Sequence, residues 1–400
     1  MKKYVWTIFF VVIIFNFWGC SNRQERIQPE KNKKEELVLW SYFETDAQQE
    51  GLDALIQAFN LSQQQYLARW EYVPMTGFNK RLSRAYTEHD LPDLVVIDNP
   101  DMATYIRLGM FEDITPYVSS WNLEEEYYAS ILETVTYEDK YYGIPMNCNN
   151  VALIYNVEML NEKGITPPTT WEELREAAKI LTTKERSGFL MCGIEGEQGV
   201  FQMLPWILSA GESVDNIGGE KTKEAFSFIY ELIEDGSMSR DYINLSQTDV
   251  ARKFAAGEVA MIENGPWVFP SIEESSVSYG VVPLPMKEKN SAVVGGENIG
   301  ILKGKNTGGA VTFLKFCMEG SSLTKFCETA GVLPAKIIEA RRLVEKNPKM
   351  QVFEQQMNNA VPRSSIPSWA SISPAISSAT FQMVSEEKTP EEAAAGIYQK

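Results

Sequence analysis

The chain has 400 residues, 44% of them hydrophobic and 11% aromatic, with a formal net charge of −17 at pH 7. An acidic excess of that size argues against nucleic acid or anionic lipid as a partner, since both are polyanions. The five cysteines show no C-x-x-C or Cys/His spacing, and a single histidine, His89, gives no basis for a metal centre or a Ser-His-Asp triad.

Lys2 and Lys3 precede an almost continuous apolar run, Tyr4–Trp18, which ends at Gly19-Cys20. A basic start, an apolar run of this length and a small residue at its end predict a secretory signal over 1–20. The run is shorter than the ~20 residues that a spanning helix needs. Gly19-Cys20-Ser21-Asn22 resembles a lipoprotein cleavage site, which implies lipidation of Cys20 and a membrane-anchored, extracytoplasmic chain. Phe17 and Trp18 stand where that pattern prefers Leu and a small residue, so an uncleaved anchor stays open. Residues 21–36 are polar, charged and without apolar periodicity, and are expected to form a flexible stalk.

Leu37–Trp40 predicts a short apolar strand, followed by the loop Ser41–Asp46 and a helix with Leu52, Leu55, Ile56 and Phe59 on one face. Tyr66–Val73 predicts a second strand, Phe78–Glu88 a second helix, and Asp93–Ile97 a buried strand ending at Asp98-Asn99-Pro100. Such alternation implies a mainly parallel sheet with helices on both faces. Lys140–Pro145 leads through Asn147 into Val151–Asn156. Thr170 and Glu173 make a capping box that starts a helix, as do Thr389 and Glu392 with Pro390 between them. Leu204–Leu208, Ala225–Leu232 and Gly308–Cys317 are expected to be helical.

The stretch Lys253–Trp267 predicts a helix end, a turn at Gly257-Glu258, a buried strand Val259–Ile262 and a turn at Asn264-Gly265. Pro266 then opens the next helix, where its missing N–H costs nothing. Trp267 falls in that first turn, directly after a strand, where ligand-facing residues of α/β proteins sit. Tyr279–Pro285 is expected to be an extended return segment and Gly295–Leu302 a strand entered through a Gly-rich turn. Cys148, Cys192, Cys317 and Cys327 leave open whether a disulfide forms.

Several of these segments, in this order, resemble the family-one extracellular solute-binding proteins of ABC importers, the family that includes maltose-binding protein. Leu91-Pro-Asp-Leu-Val-Val-Ile-Asp98 is similar to its P-D-v-v strand, and Tyr142-Gly-Ile-Pro145 through Tyr155-Asn156 to its Y-G-I-P…Y-N crossing. Pro167–Leu174 matches P-x-T-W-x-E-L, and Phe254–Trp267 matches F-x-x-G-x-x-A-M-x-x-x-G-P-W. Tyr279–Pro285 and Gly295–Ile301 resemble y-g-v-x-p-l-P and G-G-x-x-x-g-I. The resemblance implies an α/β, two-lobed clamshell of the type II periplasmic-binding class. Its first lobe would comprise 37–146 and 284–332, its second 147–283 and 333–400. Three crossovers are expected near Pro145–Asn149, Pro283–Pro285 and Gly331–Pro334, with ligand held between lobes that close by hinge motion.

The same resemblance implies a monomeric sugar-binding protein that delivers a mono- or short oligosaccharide to a membrane permease, with no cofactor. No G-x-x-x-x-G-K-[ST] loop occurs in the sequence, so ATP hydrolysis would belong to another subunit. A sugar has an apolar C–H face that packs on a flat ring and a rim of hydroxyls that needs donors and acceptors. Trp267 matches the family's stacking Trp, and Trp369 a second cleft Trp. Tyr42, Phe43 and Glu44 occupy the first strand-to-helix loop. Asp98 and Asn99 end a strand, Asn147 sits at the first crossover, and Glu297 at the Gly-rich strand entry. Trp206 is expected to be in the core. Val95–Asp98 lacks the aromatic found there in the family, which disfavours a long maltodextrin. A sensory module of the same fold remains an alternative, as does, more remotely, a glycoside hydrolase with Asp98, Glu44 and Glu297 in its cleft.

Overall fold

A computed structural model describes residues 34–397 with the exception of Gly320. The expected signal, Cys20 and nearly all of the expected stalk lie outside the described residues. Two sheets organise the rest. The first has the order Tyr66–Tyr72, Glu35–Ser41, Leu94–Asp98, Glu297–Ile301, Gly143–Pro145. Its first three strands are mutually parallel, as the alternation of strand and helix requires, and Glu297–Ile301 runs antiparallel to both neighbours. The first strand starts at Glu35, so its pairing with Tyr66–Tyr72 claims two residues that the polar composition had assigned to the stalk.

The second sheet has the order Tyr279–Val282, Ala152–Asn156, Val259–Asn264, Ser187–Leu190. Its two central strands are buried on both faces and read as near-continuous apolar runs. Between the sheets the chain makes small pairings of its own. Asn147–Cys148 pairs antiparallel with Leu333–Pro334, and Val293–Val294 pairs parallel with Val361–Pro362. The chain thus leaves the first sheet at Pro145 and enters the second at Ala152. Met286 N bonds to Thr169 O, and Lys287 and Glu288 bond to Ser209, so these residues still lie along the second sheet's helices.

Helices form where the caps and apolar faces predict them. Asp46–Ser62 begins at the capping box of Thr45 and Gln48, Trp171–Leu181 at that of Thr170 and Glu173, and Pro390–Ala395 at that of Thr389 and Glu392. Glu197–Ser209 is longer than the apolar run Leu204–Leu208, because burial of every residue from Gly199 to Ser209 outweighs the helix-breaking tendency of Pro205. The four cysteines of the described residues are buried free thiols.

Candidate functional site

The strand ends that face one another between the two sheets enclose a cavity of about 770 Å³, counting the space open to solvent. From the first sheet come Tyr42, Phe43 and Glu44 in the loop after Glu35–Ser41, Asp98 at the end of its strand, and Glu297 with Gly295 and Gly296. The antiparallel register sets Glu297 directly opposite Asp98, so two carboxylates meet at one sheet edge. From the second unit come Glu197, Gln198 and Phe201 in the first turns of Glu197–Ser209, Gln247 and Thr248, and Trp267. Asn149 and Arg363 complete the wall.

Trp267 stands in the turn Pro266–Val268, immediately after the strand Val259–Asn264. A Cβ at Gly265 would fall 1.8 Å from the Trp267 ring, so the missing side chain is what lets the indole lie over the backbone. The ring centroid lies 6.3 Å from that of Phe201, and its Nε1 is buried without a hydrogen-bond partner among the described residues.

Arg363 is 2% exposed, and all five of its N–H donors are engaged. Nη2 donates to Asp98 Oδ1 at 2.8 Å and Asn99 Oδ1 at 3.3 Å; Nη1 donates to Asp98 Oδ2 at 3.1 Å and Glu197 Oε1 at 2.7 Å. Nε donates to the Val294 carbonyl at 3.3 Å, and the guanidinium lies 4.6 Å from the Phe201 ring centroid. Glu197 Oε2 accepts from the Ser373 hydroxyl. The arginine therefore joins an acid of the first sheet to an acid on a helix of the second unit. Burial pushes the Asp98 carboxyl up, and the guanidinium pulls it back.

Among the described residues Glu297 hydrogen-bonds to neutral side chains only. The Tyr42 hydroxyl donates to Oε1 at 3.3 Å and Asn147 Nδ2 to Oε2 at 2.6 Å. Burial, reinforced by Asp98, pushes its carboxyl up to about 7. Tyr42 is raised well above its ordinary value, by burial first and then by Glu297, so its hydroxyl stays a donor. The Tyr42 ring packs edge-on against Phe78 at 5.2 Å.

Six of the nine expected side chains thus line one cavity: Tyr42, Phe43, Glu44, Asp98, Trp267 and Glu297. Asn147 and Asn99 stand behind it, each fully buried, the first on Glu297 and the second on Arg363. Trp369 is 8% exposed at the start of the helix Trp369–Val384, away from the cavity lining. Trp206 is in the core, its Nε1 on buried Glu263 at 2.7 Å. Sequence reading missed Arg363, Glu197, Phe201, Asn149 and Gln247, which come from segments far apart in the chain and carry no local motif.

Comparison with known proteins fits this geometry. The family described as bacterial extracellular solute-binding protein matches residues 54–351. A binding protein of Brucella abortus (strain 2308) is 25% identical over 338 residues, 81% of this chain and 82% of that one. The sn-glycerol-3-phosphate-binding periplasmic protein of Agrobacterium fabrum is 24% identical over 370 residues, with 81% of each chain covered. Among solved structures, an ABC transporter solute-binding protein of Thermotoga lettingae bound to α-D-tagatose superposes with a TM-score of 0.83 at 23% identity, covering 91% of this chain and 100% of that one. Maltose-bound MalE3 of T. maritima superposes with a TM-score of 0.83 at 22% identity, covering 90% and 97%. These neighbours share the two-lobed α/β architecture.

Proposed function

The chain belongs to the bacterial extracellular solute-binding protein family, and from that premise we propose that it is the sugar-binding component of an ABC importer. An extracytoplasmic location goes with the family. In this reading the ligand is a mono- or short oligosaccharide, a membrane permease receives it, and Cys20 carries the lipid that holds the chain at the membrane. The solved neighbours bound to tagatose and to maltose point the same way.

One observation carries the reading: a cavity that combines flat rings with free, uncharged polar groups. Trp267 and Phe201 supply aromatic faces for the C–H side of a sugar ring. Trp267 Nε1 is an idle donor. The side chains of Asn149, Gln247 and Thr248 line the same wall and make no hydrogen bond among the described residues. Such groups are left idle until a ligand rim of hydroxyls meets them. A phosphorylated ligand, such as the one named for the Agrobacterium relative, is disfavoured. The wall's one guanidinium has no free donor, and carboxylates surround it.

The site is a binding site in this reading, with no bond broken in it. Thermal unfolding of the purified protein against neutral mono- and oligosaccharides, amino acids, polyamines and sn-glycerol 3-phosphate tests it. A sugar at 100 times its Kd adds about 2.7 kcal/mol of stability, a readily visible rise in Tm. A rise with glycerol phosphate or an amino acid and with no sugar contradicts it.

A further inference from the structure

Charge in the cavity does not balance. Four acidic residues line it, namely Glu44, Asp98, Glu197 and Glu297, against one basic residue, Arg363. The guanidinium is spent: both Asp98 oxygens and one Glu197 oxygen take its donors, at 2.7–3.1 Å. Glu44 is exposed and solvated. Glu297 is different. It makes no ion pair among the described residues, and its side chain is held in place by the neutral donors of Tyr42 and Asn147. A half-buried carboxylate with no ion-pair partner among the described residues is costly, and a fold that needed only a hydrogen-bond acceptor there could use an amide.

Two amides stand near it, Asn147 behind the wall and Asn149 on it. Asn147 is fully buried, and its Oδ1 is an acceptor without a partner among the described residues, on the side chain whose Nδ2 holds Glu297. Asn149 is 6% exposed, lines the cavity and makes no side-chain hydrogen bond among the described residues. The rings of Tyr42, Phe201 and Trp267 share the lining, and the faces of such rings attract cations. A cavity wall with a positioned, unpaired carboxylate, the spare amide oxygen of Asn149 and aromatic faces complements an ammonium group. An ammonium has three donors and no acceptor.

We infer that the ligand of this cleft is an aminated sugar, whose protonated amine is held by Glu297 while its ring packs on the aromatic wall. The inference rests on the carbohydrate reading and sharpens it. A neutral sugar would hydrogen-bond to Glu297 without favouring its ionised form; a protonated amine makes a charge-assisted bond to that form and neutralises it.

Calorimetric titration of the purified protein at pH 7 tests this with matched pairs. Glucose, galactose and mannose are each set against the 2-amino-2-deoxy counterpart and its N-acetylated form, and cellobiose against the β-1,4 glucosamine disaccharide and its N-acetylated form. In the preferred pair the aminated member is expected to bind about tenfold or more tightly than both the neutral and the acetylated members. Glu297→Gln, which keeps the size and the acceptor but removes the charge, should bring the members of that pair within about threefold of one another. Neutral sugars that bind as tightly as their aminated counterparts overturn the inference and leave the carbohydrate reading standing. So does a Glu297→Gln protein that keeps the full preference. If no sugar of either kind binds, the carbohydrate reading falls and takes the inference with it.

Discussion

Arg363 shows how one residue of a cavity wall can hold two distant parts of a site together. Its five donors are divided among Asp98, Glu197, Asn99 and the Val294 carbonyl, so it welds the end of a first-sheet strand to the start of a second-unit helix. The cost of burying that charge is met only while the partners stay in place. Arg363→Met is therefore expected to lower stability by about 3–5 kcal/mol in urea titration, because it leaves Asp98 buried, and Glu197 half-buried, without their cation. A loss below about 1 kcal/mol, the range of an exposed ion pair, would mean that the guanidinium is not load-sharing in this way. Nothing around position 363 announces that role: the acids it joins lie 265 and 166 residues away in the chain. Asp98 and Glu297 were legible because each sits at a strand end marked by a turn-forming neighbour. Trp267 was legible because Pro266 fixes it in the first turn after a strand. Trp369 looked equivalent by the family resemblance, yet it is the opening residue of the helix Trp369–Val384 and is not among the residues that line the cavity.

At the scale of elements, local chemistry carried the reading far. The capping boxes of Thr170 with Glu173 and of Thr389 with Glu392 stand where the sequence predicted a helix start; those of Thr45 with Gln48 and Ser246 with Asp249 were not read from it. Boundaries moved where tertiary pairing overrides local pattern. Leu94–Asp98 and Val259–Asn264 each run past their last apolar residue because neighbouring strands continue to offer hydrogen bonds there. The Gly295-Gly296 entry to Glu297–Ile301 has a reason that is physical and specific. Gly296 has φ +115, and a Cβ there would lie 2.5 Å from the Asn147 carbonyl oxygen. Gly304 also has positive φ, +78, but nothing within 4 Å of its Cβ position. Gly304→Ala should therefore cost about 1–2 kcal/mol, the backbone penalty alone. Gly296→Ala should cost at least ~2 kcal/mol more, since the segment that positions Asn147 on Glu297 must also shift. Equal losses at the two positions in chemical denaturation would show that close packing at Gly296 has no energetic weight.

For the whole molecule, alternation of strand and helix was enough to give α/β layers and a mainly parallel first sheet, because parallel strands need crossover connections. The antiparallel insertion of Glu297–Ile301 between Leu94–Asp98 and Gly143–Pro145 was not readable from any local pattern. It is a long-range pairing, and it is what sets Glu297 beside Asp98. The cavity is thus a product of the order in which the chain revisits its two sheets. The Val293–Val294 pairing with Val361–Pro362 likewise brings Arg363 to the wall. Charge acts at this scale too: a net −17 and a carboxylate-rich wall repel anions before any contact forms.

The central claim is that a sugar binds between the sheets against Trp267. Calorimetric titration of the sugar that most raises Tm, into the wild-type protein and into Trp267→Ala, tests it most directly. The account predicts saturable one-to-one binding that weakens by about 1–3 kcal/mol in the variant, the contribution of burying a large apolar side chain. Unchanged affinity in a folded Trp267→Ala protein would contradict it.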